Sequence, residues 1–115
     1  MSKKVRPVLI QIQRAIEGIE TAVAGKTLDE FKGDWLLKHG VERGIEIISE
    51  AARRIPDELL GAHPEIPWPK IKAIGNVLRH EYHDIQDEVV WDVAVDRLRP
   101  LRDAIEQMLQ SICEE

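Results

Sequence analysis

The sequence predicts an all-α protein, an antiparallel bundle of four main helices joined by short connections. Three observations carry that prediction. Apolar residues recur at steps of three and four along most of the chain, the spacing of one face of a helix. No run alternates apolar and polar residues as a half-buried strand would. Proline, glycine and capping residues separate one apolar stripe from the next.

The first stripe is Val5, Leu9, Ile12, Ile16, Ile19 and Val23. It predicts an amphipathic helix of about 18 residues. Pro7 fits its first turn, where a missing N–H costs nothing, and Gly25 ends it. Thr27-Leu28-Asp29-Glu30 then reads as a capping box, with Thr27 the N-cap and Glu30 reaching back. The helix it opens carries Phe31 and Trp35, and Gly40 marks a kink or short break. From Val41 the stripe resumes through Ile45, Ile48 and Ala52 and stops before Pro56, because a residue preceding proline disfavours helix. Asp57 to Leu60 allow one short additional turn.

Gly61 to Pro69 hold three of the six prolines and form a stiff connection, docked on the body by Ile66 and Trp68. The next helix is expected from about Pro69 to Tyr82, with Ile71, Ile74, Val77 and Leu78 inward. A polar break follows at Asp84 to Asp87. The last helix carries Val90, Ala94, Leu98, Leu101, Ile105, Met108, Leu109 and Ile112. Pro100 lies within that stripe and removes one i to i−4 bond, which predicts a kink rather than a stop. Trp35, Trp68 and Trp91 lie on or beside apolar stripes and read as core aromatics.

Composition narrows the function. At 115 residues the chain fits one domain, residues 1–115. No apolar run approaches the roughly 18–20 residues of a membrane helix, and the basic start lacks an apolar region after it, so no signal peptide is expected. A single cysteine, Cys113 near the tail, excludes an internal disulfide framework and suits a reducing, cytoplasmic setting. A net charge of -5 argues against a protein that coats nucleic acid indiscriminately. It leaves room for nucleic acid in one small basic cleft. There is no GxGxxG, no P-loop, no HExxH and no CxxC. The four histidines show no zinc spacing, and no cofactor is expected.

One segment concentrates polar chemistry. On a helix, Lys72, Asn76 and His80 stack at i, i+4 and i+8, with Arg79 and His83 beside them. Residues 68 to 83 carry three cations and one anion in an otherwise acidic chain. Gly75 sits in mid-helix, at a cost of about 1 kcal/mol relative to alanine, which suits a close approach of another backbone or a ligand. The plainer reading is a solvated helix face, with His80 capping the C-terminus.

The same residues bear a family resemblance. Val41 to Ala51 (VERGIEIISEA), His63 to Trp68 (HPEIPW), Asn76 to Tyr82 (NVLRHEY) followed by Val89-Val90-Trp91, and Leu98-Arg99-Pro100-Leu101 resemble, in order and spacing, four stretches of the HepT-like family of small HEPN-domain proteins. The resemblance spans about Val5 to Leu109. It implies a HEPN-like four-helix bundle that forms a homodimer, with two copies of the signature helix meeting across a cleft. It also implies a metal-independent endoribonuclease, the toxin of a toxin–antitoxin pair. The partner is a nucleotidyltransferase antitoxin that neutralises the toxin by adenylylating the signature tyrosine, here Tyr82. The family motif is R-x-x-x-x-H-x-Y, commonly with Asn after Arg. Asn76, His80 and Tyr82 match it. Gly75 stands where the motif arginine belongs, and Arg79, one turn on, is the nearest substitute, able to reach into space that Gly75 vacates.

Those assignments fit the chemistry of RNA cleavage, which needs a base for the 2′-hydroxyl, an acid for the 5′-oxygen and cations for the phosphorus centre. In a dimer the two copies of His80 divide acid and base roles. Arg79 stabilises the charge on phosphorus, and Asn76 orients His80 or a phosphate oxygen. Lys72, Tyr82 and His83 contact the substrate. Arg43, Glu46 and Glu50 form a buried or interfacial polar network. The competing reading is a HEPN dimer without cleavage activity that serves as a binding module for a nucleotidyltransferase.

Overall fold

The computed structural model describes residues 4–80 and 87–113. Helix α1 spans Val5–Val23, α2 Leu28–Gly33, α3 Trp35–Ala52, α4 Asp57–Gly61 and α5 Trp68–His80. Helix α6, Asp87–Asp92, passes through a π-helical turn at Val93–Arg97 into α7, Leu98–Cys113. No strand occurs among the described residues. The all-α prediction holds, with two short helices, α2 and α4, instead of one.

Helix α3 packs against both α1 and α5, and α7 closes on α1. The α1 stripe is buried in full: Val5, Leu9, Ile12, Ile16, Ile19 and Val23. Burial of each such side chain is worth about 1.5–3 kcal/mol as an upper estimate. Helix α1 runs antiparallel to α3, for Gly44 meets Ile19 while Arg54 donates to Gln11 Oε1 at 2.9 Å. Gly25 takes φ 74°, the left-handed region that lets the chain leave α1. The capping box forms as expected: Glu30 N donates to Thr27 Oγ1 at 3.2 Å, and Thr27 N donates to Glu30 Oε1 at 2.9 Å.

The break between α2 and α3 falls at Asp34 and not at Gly40. Asp34 is extended, and its Oδ1 accepts from Leu37 N at 3.0 Å. An aspartate N-cap satisfies donors that nothing else would, whereas one glycine only weakens a helix. Helix α3 therefore runs straight through Gly40. This places Trp35 on the first turn of α3 with 70% of its surface exposed, so it is not a core aromatic. Trp68 is buried, its Nε1 donating to the carbonyls of Leu60 and His63 at 3.1 and 3.0 Å. Trp91 is half-buried against Phe31, ring centroids 5.3 Å apart. Lys32–Glu88 at 2.8 Å and Lys38–Asp87 at 2.9 Å tie α2 and α3 to α6. The hydrogen bond that Lys32 donates to Glu88, and the charge of that carboxylate, raise the Lys32 pKa above the usual lysine value.

Pro100 does not stop the helix. It cannot donate to Asp96 O, and the helix accommodates it by a π turn just upstream instead of a stop. The stripe Val90, Ala94, Leu98 steps by four twice, the spacing a wider turn produces. The expected break at Asp84 to Asp87 lies outside the described residues except for Asp87, which starts α6.

Candidate functional site

Helix α5 is held on α3 by one serine and one arginine. Ser49 Oγ accepts from Gly75 N and donates to Lys72 O, both at 3.0 Å. Arg53 donates to the same carbonyl from Nε at 3.3 Å and Nη2 at 2.9 Å. These contacts set α5 antiparallel to α3. They bury Gly75 and Leu78 and leave Asn76 and Arg79 exposed, with Lys72 half-buried between. His80 is the last residue of α5. The expected row of Lys72, Asn76 and His80 positions is thus assembled on one helix. Neither Lys72 nor Arg79 has an ion pair among the described residues. The side chain of His80, and Tyr82 and His83 entirely, lie outside the described residues.

Gly75 does not vacate space for Arg79. A Cβ built there would lie 2.7 Å from Ser49 Oγ and 2.8 Å from Ser49 Cβ. The glycine exists because α3 comes this close, and the serine occupies the volume a side chain would need. Ser49 and Arg53 were not legible as site-forming residues. The available signal was their i, i+4 spacing at the end of α3, with one polar residue, Ser49, among buried neighbours.

The network of Arg43, Glu46 and Glu50 is not a buried one. Arg43 and Glu50 are exposed, and only Glu46 is partly covered, its Oε1 accepting from Arg43 Nη1 at 3.3 Å. On the other flank of α5 lies an apolar groove of about 480 Å³, between Ile45 and Ile48 of α3, Ile71 and Ile74 of α5, and Val93 and Leu98 of the last helix. It does not include Asn76 or Arg79. Among the described residues no group of histidine, cysteine and carboxylate side chains could hold a metal ion, and no helix is long and apolar enough to cross a membrane.

Comparison with known proteins shows the family. A family model described as "Ribonuclease HepT-like" matches residues 12–108. A protein of Thermococcus cleftensis named "Probable ribonuclease HepT" is 30% identical over 108 residues, covering 94% of this chain and 98% of its own. A Methanocaldococcus jannaschii protein named as a candidate RNase is 28% identical over 110 residues, 96% of this chain and 91% of its own. One from Caldanaerobacter subterraneus subsp. tengcongensis, named likewise, is 29% identical over 108 residues, 94% of this chain and 96% of its own. No solved structure matches the chain.

Proposed function

The chain belongs to the ribonuclease HepT-like family, and from that membership we propose that it is a metal-independent endoribonuclease, the toxin of a toxin–antitoxin pair, cutting RNA at a site completed by a second copy. The relatives' names support an RNase of the HEPN type. The observation that carries the reading is the row on α5, with half-buried Lys72 and exposed Asn76 and Arg79 leading to the position of His80.

The chemistry follows from that row. One protomer supplies one motif histidine, so two copies of α5 across a cleft supply a base and an acid. One His80 takes the proton of the RNA 2′-hydroxyl as its oxygen bonds phosphorus. The other gives a proton to the 5′-oxygen as the P–O5′ bond breaks. Arg79 neutralises the charge that builds on the phosphoryl oxygens. Asn76 orients a phosphate oxygen or His80, while Lys72, Tyr82 and His83 hold the strand. A nucleotidyltransferase partner that adenylylates Tyr82 would add bulk and negative charge beside the cations and so exclude RNA.

The test is RNA cleavage by the wild type and by His80→Ala, with and without EDTA. Cleavage that persists in EDTA and vanishes in His80→Ala at an unchanged oligomeric state supports the reading; cleavage by His80→Ala sinks the assignment. For the partner, co-expression with the nucleotidyltransferase should add adenylyl mass, and Tyr82→Phe should remove it. Gly75, in place of the motif arginine, favours a second reading, a dimer that binds a nucleotidyltransferase without cutting RNA. An inactive wild type that still binds the partner selects it.

A further inference from the structure

The face of α3 that meets α5 continues past the level of His80, the last described residue of α5. Positions 35, 39, 42, 46, 49 and 53 recur at steps of four and three, so Trp35, His39, Glu42, Glu46, Ser49 and Arg53 form one stripe. Ser49 and Arg53 touch α5 at Gly75 and Lys72. The helices being antiparallel, the stripe leads past the level of His80 toward Trp35.

At that end stands an aromatic plate. The His39 ring lies against the Trp35 indole, centroids 4.3 Å apart and 32° between planes. His39 Nδ1 donates to the Trp35 carbonyl at 2.8 Å, which fixes the imidazole against the indole. Both side chains are exposed, and Leu36 beside them is 74% exposed. An indole this open forgoes the burial that usually rewards so large an apolar surface.

We propose that Trp35, braced by His39, is a stacking platform for an unpaired base of the RNA strand cut at His80. The inference rests on the ribonuclease reading above. A flat indole takes any base, because every base has a π-face. The lysines around the plate are already engaged within the protein, Lys38 with Asp87 and Lys32 with Glu88, so neither is left to hold a phosphate. Such a surface suits a neutral, flat group, and the phosphates find their cations at Lys72 and Arg79. At 1.5 Å of rise per residue, His39 and Trp35 lie about 8 and 14 Å beyond the level of His80 along α3. At the roughly 3.4 Å spacing of a stacked strand, that is about two to four nucleotides from the cut.

The experiment compares wild type, Trp35→Ala and Trp35→Phe on a short single-stranded RNA. A companion series carries one abasic nucleotide at each position in turn. Trp35→Ala should raise KM about tenfold with kcat held, and Trp35→Phe should recover most of the loss. One abasic position should weaken the wild type and leave Trp35→Ala indifferent. A wild type that cuts RNA while Trp35→Ala keeps its KM overturns the platform alone. So does a change of sedimentation in Trp35→Ala, which would make the plate a contact between copies. A wild type that cuts no RNA overturns the ribonuclease reading, and the platform with it.

Discussion

Two glycines in the middle of helices show how far a single residue's role depends on its neighbour. Around Gly40 an added Cβ would meet nothing within 4 Å. Gly40→Ala should therefore gain helix propensity and raise stability by about 0.5–1 kcal/mol. At Gly75 the same change drives a methyl into Ser49, whose Cβ is rigidly attached to α3. Overpacking of this kind costs about 1–3 kcal/mol, offset by up to about 1 of propensity. Gly75→Ala should lower stability, and Ser49→Gly in the same chain should restore part of it. Urea unfolding of the wild type, Gly40→Ala, Gly75→Ala, Ser49→Gly and the double variant checks both signs and the coupling. It follows that Gly75→Arg, which would rebuild the family motif, perturbs the packing of α3 on α5 before it tests catalysis. The pattern of Asn76, Arg79 and His80 was legible because side-chain type and helical spacing are both written in the sequence. The role of Gly75 was not, since it depends on a residue 26 positions away on another helix.

At the level of elements, stripes are legible where burial is one-sided. Helix α1 buries each of its six stripe residues because each apolar step keeps the same face inward. Ends are set by the best local hydrogen-bond acceptor, and here Asp34 prevails over Gly40. The same reasoning predicts that α2, only six residues long, depends on its cap. Thr27→Ala should cost about 1 kcal/mol, and the loss should appear first as faster amide exchange of Glu30. Trp35 escaped its core assignment for a related reason. Its stripe position is inward-facing by spacing, but the Asp34 cap puts it on the exposed first turn of α3, and spacing alone does not tell which end of a stripe lies open.

As a whole, the molecule is longer than a compact sphere. Its extents are 46 × 28 × 22 Å, and its radius of gyration is 14.4 Å, against about 13 Å expected for this length. Its net charge of -5 and the cations of α5 act at different ranges. If Lys72 and Arg79 of two protomers carry the RNA backbone, about four phosphates are neutralised. The slope of log K against log salt should then be about −3 for a single strand, measured by filter binding of the His80→Ala variant to avoid cleavage. A slope near zero would remove the cationic row from the interface. The π turn at Val93–Arg97 bears on the whole bundle in another way. It holds one residue more than an α-helical turn needs, and the wider turn absorbs that surplus without changing the rotational phase of α7 against α1. Its side chains are constrained, since Val93 and Ala94 pack on the core and Arg97 pairs with Asp92 at 3.0 Å. Its length is freer: deleting one residue within the turn should close it to α geometry and leave Leu101, Ile105 and Met108 facing the core, whereas a deletion after the turn would swing them out by about 100°.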